Sequence, residues 1–364
     1  MVIELPPEKL LRIFSLIKKL KPNKIISIRD FSKILGFLVS CCTAVNYGWA
    51  HTKKFLALTA SNNNYDATKK ISNAVIDELE WWKNLVNPRN LIRIESYELE
   101  IYSDSSLTGW GAVCNNKKAN GHWTESEKVN SINYLELLAA YFGQKIFANQ
   151  YDNCQILLHI DNSTAISYIN RMGGVQFKNL NKITRKIWQW CERKNIWIFA
   201  TYIASKDNFE ADVESRKAKA NIEIALSHNA FEKIRRSFGN PDIDLFATRS
   251  NAKCSKYVSW KKDPESIAID AFTISWSGYF FYAFLPFSLI LKTIKKIQND
   301  KARGIIIVPE WQGQPWYPLF KKLRISNLLK FDANECLIFS SNVQDSFWKK
   351  NILVAAILSA EHSN

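Results

Sequence analysis

The sequence has no uninterrupted apolar run of the roughly 18 residues that a membrane helix needs. Gly278 to Leu291 comes nearest, and Pro286 interrupts it, so no membrane partner is expected. The N-terminus, Met1 to Pro7, has neither a basic start nor a long apolar stretch, so no secretory signal is expected. Cys-x-x-Cys is missing as well. The seven cysteines (41, 42, 114, 154, 191, 254 and 336) are scattered and odd in number. Zinc is therefore not expected, and reduced thiols in an intracellular setting are the default. The adjacent Cys41 and Cys42 fall in an apolar helical run and are expected in a core. Internal repeats and low-complexity stretches are absent too.

What is present is the composition of a folded chain, 47% hydrophobic and 13% aromatic over 364 residues. That length suits two or three domains, each with its own core. The formal net charge of +15 is unevenly spread. Residues 1–97 carry +7, residues 98–218 carry +1 and residues 219–364 carry +7. Basic flanks around a charge-balanced middle fit phosphate-backbone binding around a site rich in carboxylates.

Residues 7–95 read as helical throughout. Leu10, Phe14, Ile17 and Leu20 recur at helical spacing, and Pro22 stops that helix. Ser27 to Asp30 resembles a capping box for a helix through Phe31, Ile34, Leu35 and Leu38. A third helix from about Asp66 carries Val75, Leu79, Trp81 and Trp82, the two tryptophans expected in the core rather than stacked on bases. From Tyr97 the texture changes. Strands are predicted at 98–104, 109–115, 119–123, 155–161 and 196–200, with helices at 131–148, 163–172, 179–194 and from 211 to 219. A three-strand meander followed by alternating helix and strand implies a mixed five-stranded sheet covered by helices. Residues 220–340 read as a second, smaller α/β unit with strands at 242–246, 278–284 and 304–309. Residues 341–364 read as a terminal helix and tail.

One stretch organises the middle of the chain. Glu100 to Val113 reads as a strand bearing Asp104, a tight turn near Gly109 and Gly111, and a returning strand. A carboxylate inside an apolar strand is expensive to bury without a partner, and a cation is one such partner. Three more acidic residues lie where the predicted elements would converge: Glu136 early in the first long helix, Asp161 at the end of the fourth strand, and Asp212 at the start of the last helix. Singly, each reads as a surface residue or a helix cap. Jointly, hard oxygen ligands from strand ends and helix starts suit Mg²⁺, which takes few carboxylates and keeps waters or substrate phosphates. Two such ions about 4 Å apart assist phosphodiester cleavage.

The blocks Ile101 to Ala112, Asn133 to Leu137, His159 to Ala165 and Asp207 to Arg216 resemble the four motifs of ribonuclease H. They look most like those of DIRS-type retrotransposon reverse transcriptases, whose third block typically continues as Tyr168-Ile169-Asn170-Arg171-Met172-Gly173-Gly174. The resemblance spans about 97–218. It implies a ribonuclease H-like domain at 97–219 that hydrolyses the RNA strand of RNA–DNA hybrids, leaving 3′-hydroxyl ends. It implies that Asp104, Glu136, Asp161 and Asp212 are catalytic and hold two Mg²⁺ ions, with Mn²⁺ as a substitute. Asn162 would contact the RNA 2′-hydroxyl. Gly109 and the amides near Ser105 would let the backbone approach the scissile phosphate. Many ribonucleases H carry a mobile histidine shortly before the fourth carboxylate, and Tyr202 to Lys206 contains none.

By the same resemblance, residues 1–96 are similar to the thumb and connection region that follows a polymerase palm. No Tyr-x-Asp-Asp-like polymerase motif occurs, so no polymerase activity is expected, and a separate polymerase subunit is a conceivable partner. The chain reads as a fragment of a retrotransposon polyprotein. Pro241 to Cys254, with Asp244, and Ala283-Phe284-Leu285-Pro286-Phe287 resemble a methyltransferase-like domain of the same elements. Adenine-N6 methyltransferases place a polar acceptor where Phe284 to Phe287 offers none, so a degenerate domain without S-adenosylmethionine is expected. The alternatives are an inactive nucleic-acid-binding relic and an adenine-N6 DNA methyltransferase.

Overall fold

A computed structural model of the chain describes residues 1–60, 64–217, 224–332, 337–339 and 352–361. It divides into two compact units. One holds Met1–Lys118 and Glu127–Arg216, and the other holds Ala119–Ser126 and the chain from Lys217 onward.

The first unit begins with four helices, α1 (Pro7–Lys18), α2 (Ile28–Cys41), α3 (Lys53–Ala60) and α4 (Asn73–Lys83). Ser27 caps α2 as expected: its Oγ accepts from the Asp30 amide, and it donates to the Asp30 carboxylate at 2.8 Å in place of the backbone bond of a full capping box. Ile17, Phe31, Leu38, Leu79 and Trp82 share one core, which also takes in Cys41 and Cys42. The segment is not helical throughout, however. Strand β1 (Val2–Glu4) pairs with β4 (Arg89–Leu91), and β2 (Ile25–Ser27) pairs with β3 (Thr68–Lys70), both antiparallel. Three-residue strands are too short to show an alternation, which is why the sequence hides them.

The mixed sheet follows. Strands β5 (Leu99–Ser105), β6 (Gly109–Cys114), β7 (Lys117–His122), β8 (Gln155–Ile160) and β9 (Trp197–Tyr202) lie in the order β7-β6-β5-β8-β9. Strands β5 and β6 are antiparallel, whereas β5, β8 and β9 are parallel. The helices are α5 (Glu125–Lys128), α6 (Ile132–Phe147), α7 (Ser163–Asn170), α8 (Lys178–Arg193) and α9 (Phe209–Arg216). This is the sheet and helix order the sequence implies, with α5 added; the expected continuation of α9 to 219 runs beyond the described residues.

A polar network joins α3, α4 and the turn before them to α8. His51 Nδ1 lies 2.8 Å from Glu78, and its Nε2 lies 3.1 Å from Glu192. Trp81 stacks on the His51 ring and donates its indole N–H to Glu192 at 2.6 Å. Buried Glu78 also ion-pairs with Lys54 and Arg185. Trp82 is therefore interior, as expected, whereas Trp81 is half-buried against the same core and has a polar duty as well.

In the second unit α10 (His228–Phe238), α11 (Ile290–Asn299) and α12 (Tyr317–Leu323) accompany a seven-stranded sheet. Its strands are β11 (Ile243–Asp244), β12 (Lys256–Ser259), β13 (Ala268–Ile269), β14 (Phe280–Phe284), β15 (Arg303–Pro309), β16 (Leu329–Asp332) and β18 (Ile352–Ser359), in the order β13-β12-β11-β14-β15-β18-β16. Only β18 runs against its neighbours β15 and β16. A separate pair, β10 (Ile224–Leu226) and β17 (Leu337–Phe339), is antiparallel. Alternate residues of the central strands feed opposite cores: Phe281, Ile306 and Val354 one, Tyr282, Ile305 and Leu353 the other.

That two-sided burial corrects one expectation. Residues 352–359 form β18, not part of a terminal helix. A short apolar run buried on both faces carries no alternation, so periodicity does not separate strand from helix there. The rest of the expected terminal helix and tail lies outside the described residues, save Ala360 and Glu361.

Glu78→Ala should destabilise the first unit by about 3 kcal/mol or more, because it strands His51, Lys54 and Arg185 near a buried site. Denaturant unfolding reads this directly. A loss below about 1 kcal/mol, the range of exposed pairs, would show that the network does not hold the helices on α8.

Candidate metal centre

Asp104 is the sixth residue of β5, opposite Gly111 of β6. Gly111 explains its own identity. A Cβ there would stand 2.3 Å from the Ala211 carbonyl oxygen and 2.4 Å from the Ser215 amide. Only glycine lets α9 lie that close to the sheet, and this contact brings the Asp212 end of α9 towards Asp104. Asn208 fastens the same approach, donating its side-chain N–H to the Ser103 carbonyl at 3.0 Å.

Glu136 is the fifth residue of α6 and is buried. The Ser105 hydroxyl donates to its Oε1 at 3.1 Å, while its Oε2 is buried with no hydrogen-bond partner. Asp161 follows β8 directly, and the Ser205 hydroxyl donates to its Oδ2 at 2.8 Å. One carboxylate oxygen from each of Asp104, Glu136 and Asp161 lies within 4.8 Å of the other two. Asp212 stands apart from that trio. Its Oδ1 accepts from Nε and Nη2 of Arg216, one helical turn on, at 2.9 and 2.5 Å.

The electrostatics follow from burial. Removal from water, with Asp104 and Asp161 as negative neighbours, pushes Glu136 up to about 9. Asp104 rises to about 6 for the same reason, its negative neighbours being Asp161 and Asp212. An orphaned buried carboxylate oxygen facing two further carboxylates is a set of hard oxygen donors that fits a divalent cation. Such a cation would be held by Asp104, Glu136 and Asp161.

The other expected site residues are placed as follows. Asn162 caps α7: its Oδ1 accepts from the Ala165 amide and its Nδ2 donates to Asn133 Oδ1, each at 2.9 Å. The Gly109 amide donates to Ser106 Oγ at 3.1 Å, closing the β5–β6 turn. In the second unit Asp244 ends β11, and Phe284 ends β14; both line one cavity of ≈ 20 Å³. Pro286 precedes a short 3₁₀ turn, where Phe287 packs edge-on against Trp311. Neither lines that cavity.

Sequence reasoning missed Ser205, Asn208 and Arg216. Ser205 has a faint signal, a hydroxyl in the segment between the last strand and Asp212 where many ribonucleases H carry a histidine.

Glu136 sets a pH dependence in the metal-free chain. Its folded-state pKa lies above the unfolded one, so its contribution to stability is full below about 4.5 and is lost as pH rises towards about 9. Glu136→Gln should therefore raise the melting temperature at pH 8 and leave it nearly unchanged at pH 4. Added Mg²⁺ should raise the melting temperature of the wild type and do so much less for the variant. A variant less stable than wild type at pH 8 without metal would contradict this.

No family model matches the chain, and no curated protein matches it. Among solved structures it is similar to RNase H1 from Halobacterium salinarum, at 14% identity and TM-score 0.28, over 33% of this chain and 96% of that one. It is similar to the N-terminal RNase H domain of a Mycobacterium tuberculosis protein, at 15% identity and TM-score 0.29, over 34% of this chain and 94% of that one. It is also similar to the foamy viral protease-reverse transcriptase in complex with RNA/DNA hybrid, at 14% identity and TM-score 0.23. That likeness covers 54% of this chain and 27% of the viral one.

Proposed function

We propose that the chain is a retrotransposon-derived, metal-dependent endonuclease that hydrolyses the RNA strand of RNA–DNA hybrids. The observation that carries this reading is the cluster of buried Asp104 and Glu136 with half-buried Asp161, in which one Glu136 oxygen is unsatisfied. Bound divalent cations, two Mg²⁺ on this reading, supply an activated water and charge stabilisation at the leaving oxygen. The chain's own residues do the rest. Asp104 and Asp161 present their carboxylates beside the buried Glu136. Ser105 and Ser205 fix the orientation of Glu136 and Asp161. Asp212, released from Arg216, completes the set as a fourth carboxylate. Asn162 retains one side-chain N–H beyond its bond to Asn133, and we assign that hydrogen to the RNA 2′-hydroxyl.

On this reading the helices of 1–96, with their +7 charge, grip the hybrid, and any polymerase is a separate subunit. No helix among the described residues is long and apolar enough to cross a membrane. The second unit is read as a methyltransferase-like sheet that has lost its cofactor. Open α/β sheets bind ligands in the crevice where the strand order reverses, here beside β11. The Asp244 carboxylate there already accepts from the Phe246 and Lys253 amides, and the cavity of ≈ 20 Å³ suits a water rather than a nucleoside.

Asp104→Asn should reduce Mg²⁺-dependent cleavage of a labelled hybrid by at least about a hundredfold, on the scale of losing one preorganised charge contact. Single-stranded RNA and duplex DNA should resist the wild type. Cleavage by neither protein would favour the inactive binding relic, and equal, metal-independent cleavage by both would contradict the acidic centre's role.

A further inference from the structure

The stretch Tyr168 to Gly174 takes no part in the acidic centre, yet it is firmly built. Asn170 braces α7 against β9, donating to the Ala200 carbonyl and accepting from the Ala200 amide, both at 2.8 Å. Ile169 and Met172 are buried. Met172 and Gly173 both take positive φ, 55° and 115°. A Cβ on Gly174 would stand 2.7 Å from the Tyr168 ring, so the chain lies flat on that ring. A Cβ on Gly173 would meet Asn181 Oδ1 at 2.4 Å and the Lys53 Cγ at 3.1 Å. Six of these seven residues thus hold the turn in shape. The seventh, Arg171, is exposed, and its guanidinium has no hydrogen bond or ion pair among the described residues.

The glycine turn also seats Lys53, the first residue of α3. Lys53 is only 9% exposed, and no hydrogen-bond acceptor or carboxylate pairs with it among the described residues. Its Nζ lies 5.4 Å from the ring centroid of Trp49, an indole left 37% exposed. Burial pushes the lysine pKa down and the charge of Arg171 adds to this, opposed by the Cys42 thiol and by no carboxylate. A lysine this buried is ordinarily paired. Two neighbouring cations without an anion, held by a rigid turn beside an exposed aromatic face, make a site that lacks its counter-charge.

We propose that Lys53 and Arg171 form a phosphodiester-binding site that clamps the nucleic-acid backbone away from the acidic centre, with Trp49 as its apolar wall. The class of ligand follows from the proposed hybrid substrate, and on that point the inference rests on that reading. The site itself joins the N-terminal helices to the turn after α7 within one compact unit. It gives those helices a defined share in substrate binding, rather than a diffuse basic charge.

The test uses the full chain and a short labelled RNA–DNA hybrid, with chelator present so that no strand is cut. Anisotropy is measured across a salt series for wild type, Lys53→Met, Arg171→Gln and the control Lys83→Gln, whose ammonium pairs with Glu80. Lys53→Met and Arg171→Gln should each weaken binding several-fold and flatten the slope of log K against log salt by about 0.9. The control should change neither. Lys53→Met should hold or raise the melting temperature, since it removes an uncompensated buried charge; if that variant fails to fold, exposed Arg171 decides alone. In Mg²⁺, Arg171→Gln should raise KM for cleavage and spare kcat.

Unchanged affinity and slope in the folded variants, or an equal effect in the control, would overturn the site while leaving the cleavage reading intact. So would loss of inorganic phosphate binding with hybrid affinity unaltered, which would mark a small-anion site. A wild type that binds hybrid through these residues but never cuts it would sink the cleavage reading alone. A wild type that binds no hybrid would overturn both.

Discussion

Crowding of three carboxylates, two of them removed from water, is the constraint around which the acidic centre is built. Asp104, Glu136 and Asp161 come from a central strand, a long helix and the end of a parallel strand. Each element is held by apolar contacts that have nothing to do with charge. The hydrophobic packing of α6 on the sheet, where Gly143 admits Ala112 and Ile101 closely, forces Glu136 into place. Stability gained across the core thus offsets an arrangement that is unfavourable at its centre. A divalent cation among the three carboxylates would relieve that arrangement by supplying a positive charge.

The polar groups of the unit fall into two kinds. Around His51, charges of both signs are paired: two carboxylates face one ring, and Lys54 and Arg185 ion-pair with Glu78. Such a network fixes register between helices and needs no ligand. At the acidic trio and at Lys53, by contrast, charge of one sign stands without its complement. The first lacks a cation and the second an anion. A nucleic acid with its counter-ions brings both, so one ligand would answer two deficits of opposite sign.

Much of this was legible in the chain. Asp104 stood out because a carboxylate interrupts an apolar strand, and the alternation of strand and helix after Tyr97 gave the sheet. The Ser27 cap and the buried Trp82 follow from local spacing. The contacts that were not legible depend on residues far apart. The Ser205 hydroxyl meets Asp161 across 44 positions, and Trp81 meets Glu192 across 111. No local pattern encodes either. Strand β18 was hidden for another reason: with both faces buried it lost the alternation that marks a strand. The Asp212–Arg216 pair, by contrast, sits at the i, i+4 spacing of one helical turn, which local sequence does encode.

The most direct test of the central claim is a crystal of the wild-type chain soaked in Mn²⁺, with data collected where manganese scatters anomalously. The account predicts an anomalous peak within coordination distance of Asp104, Glu136 and Asp161 together. Peaks elsewhere on the surface with none among those three carboxylates would contradict it.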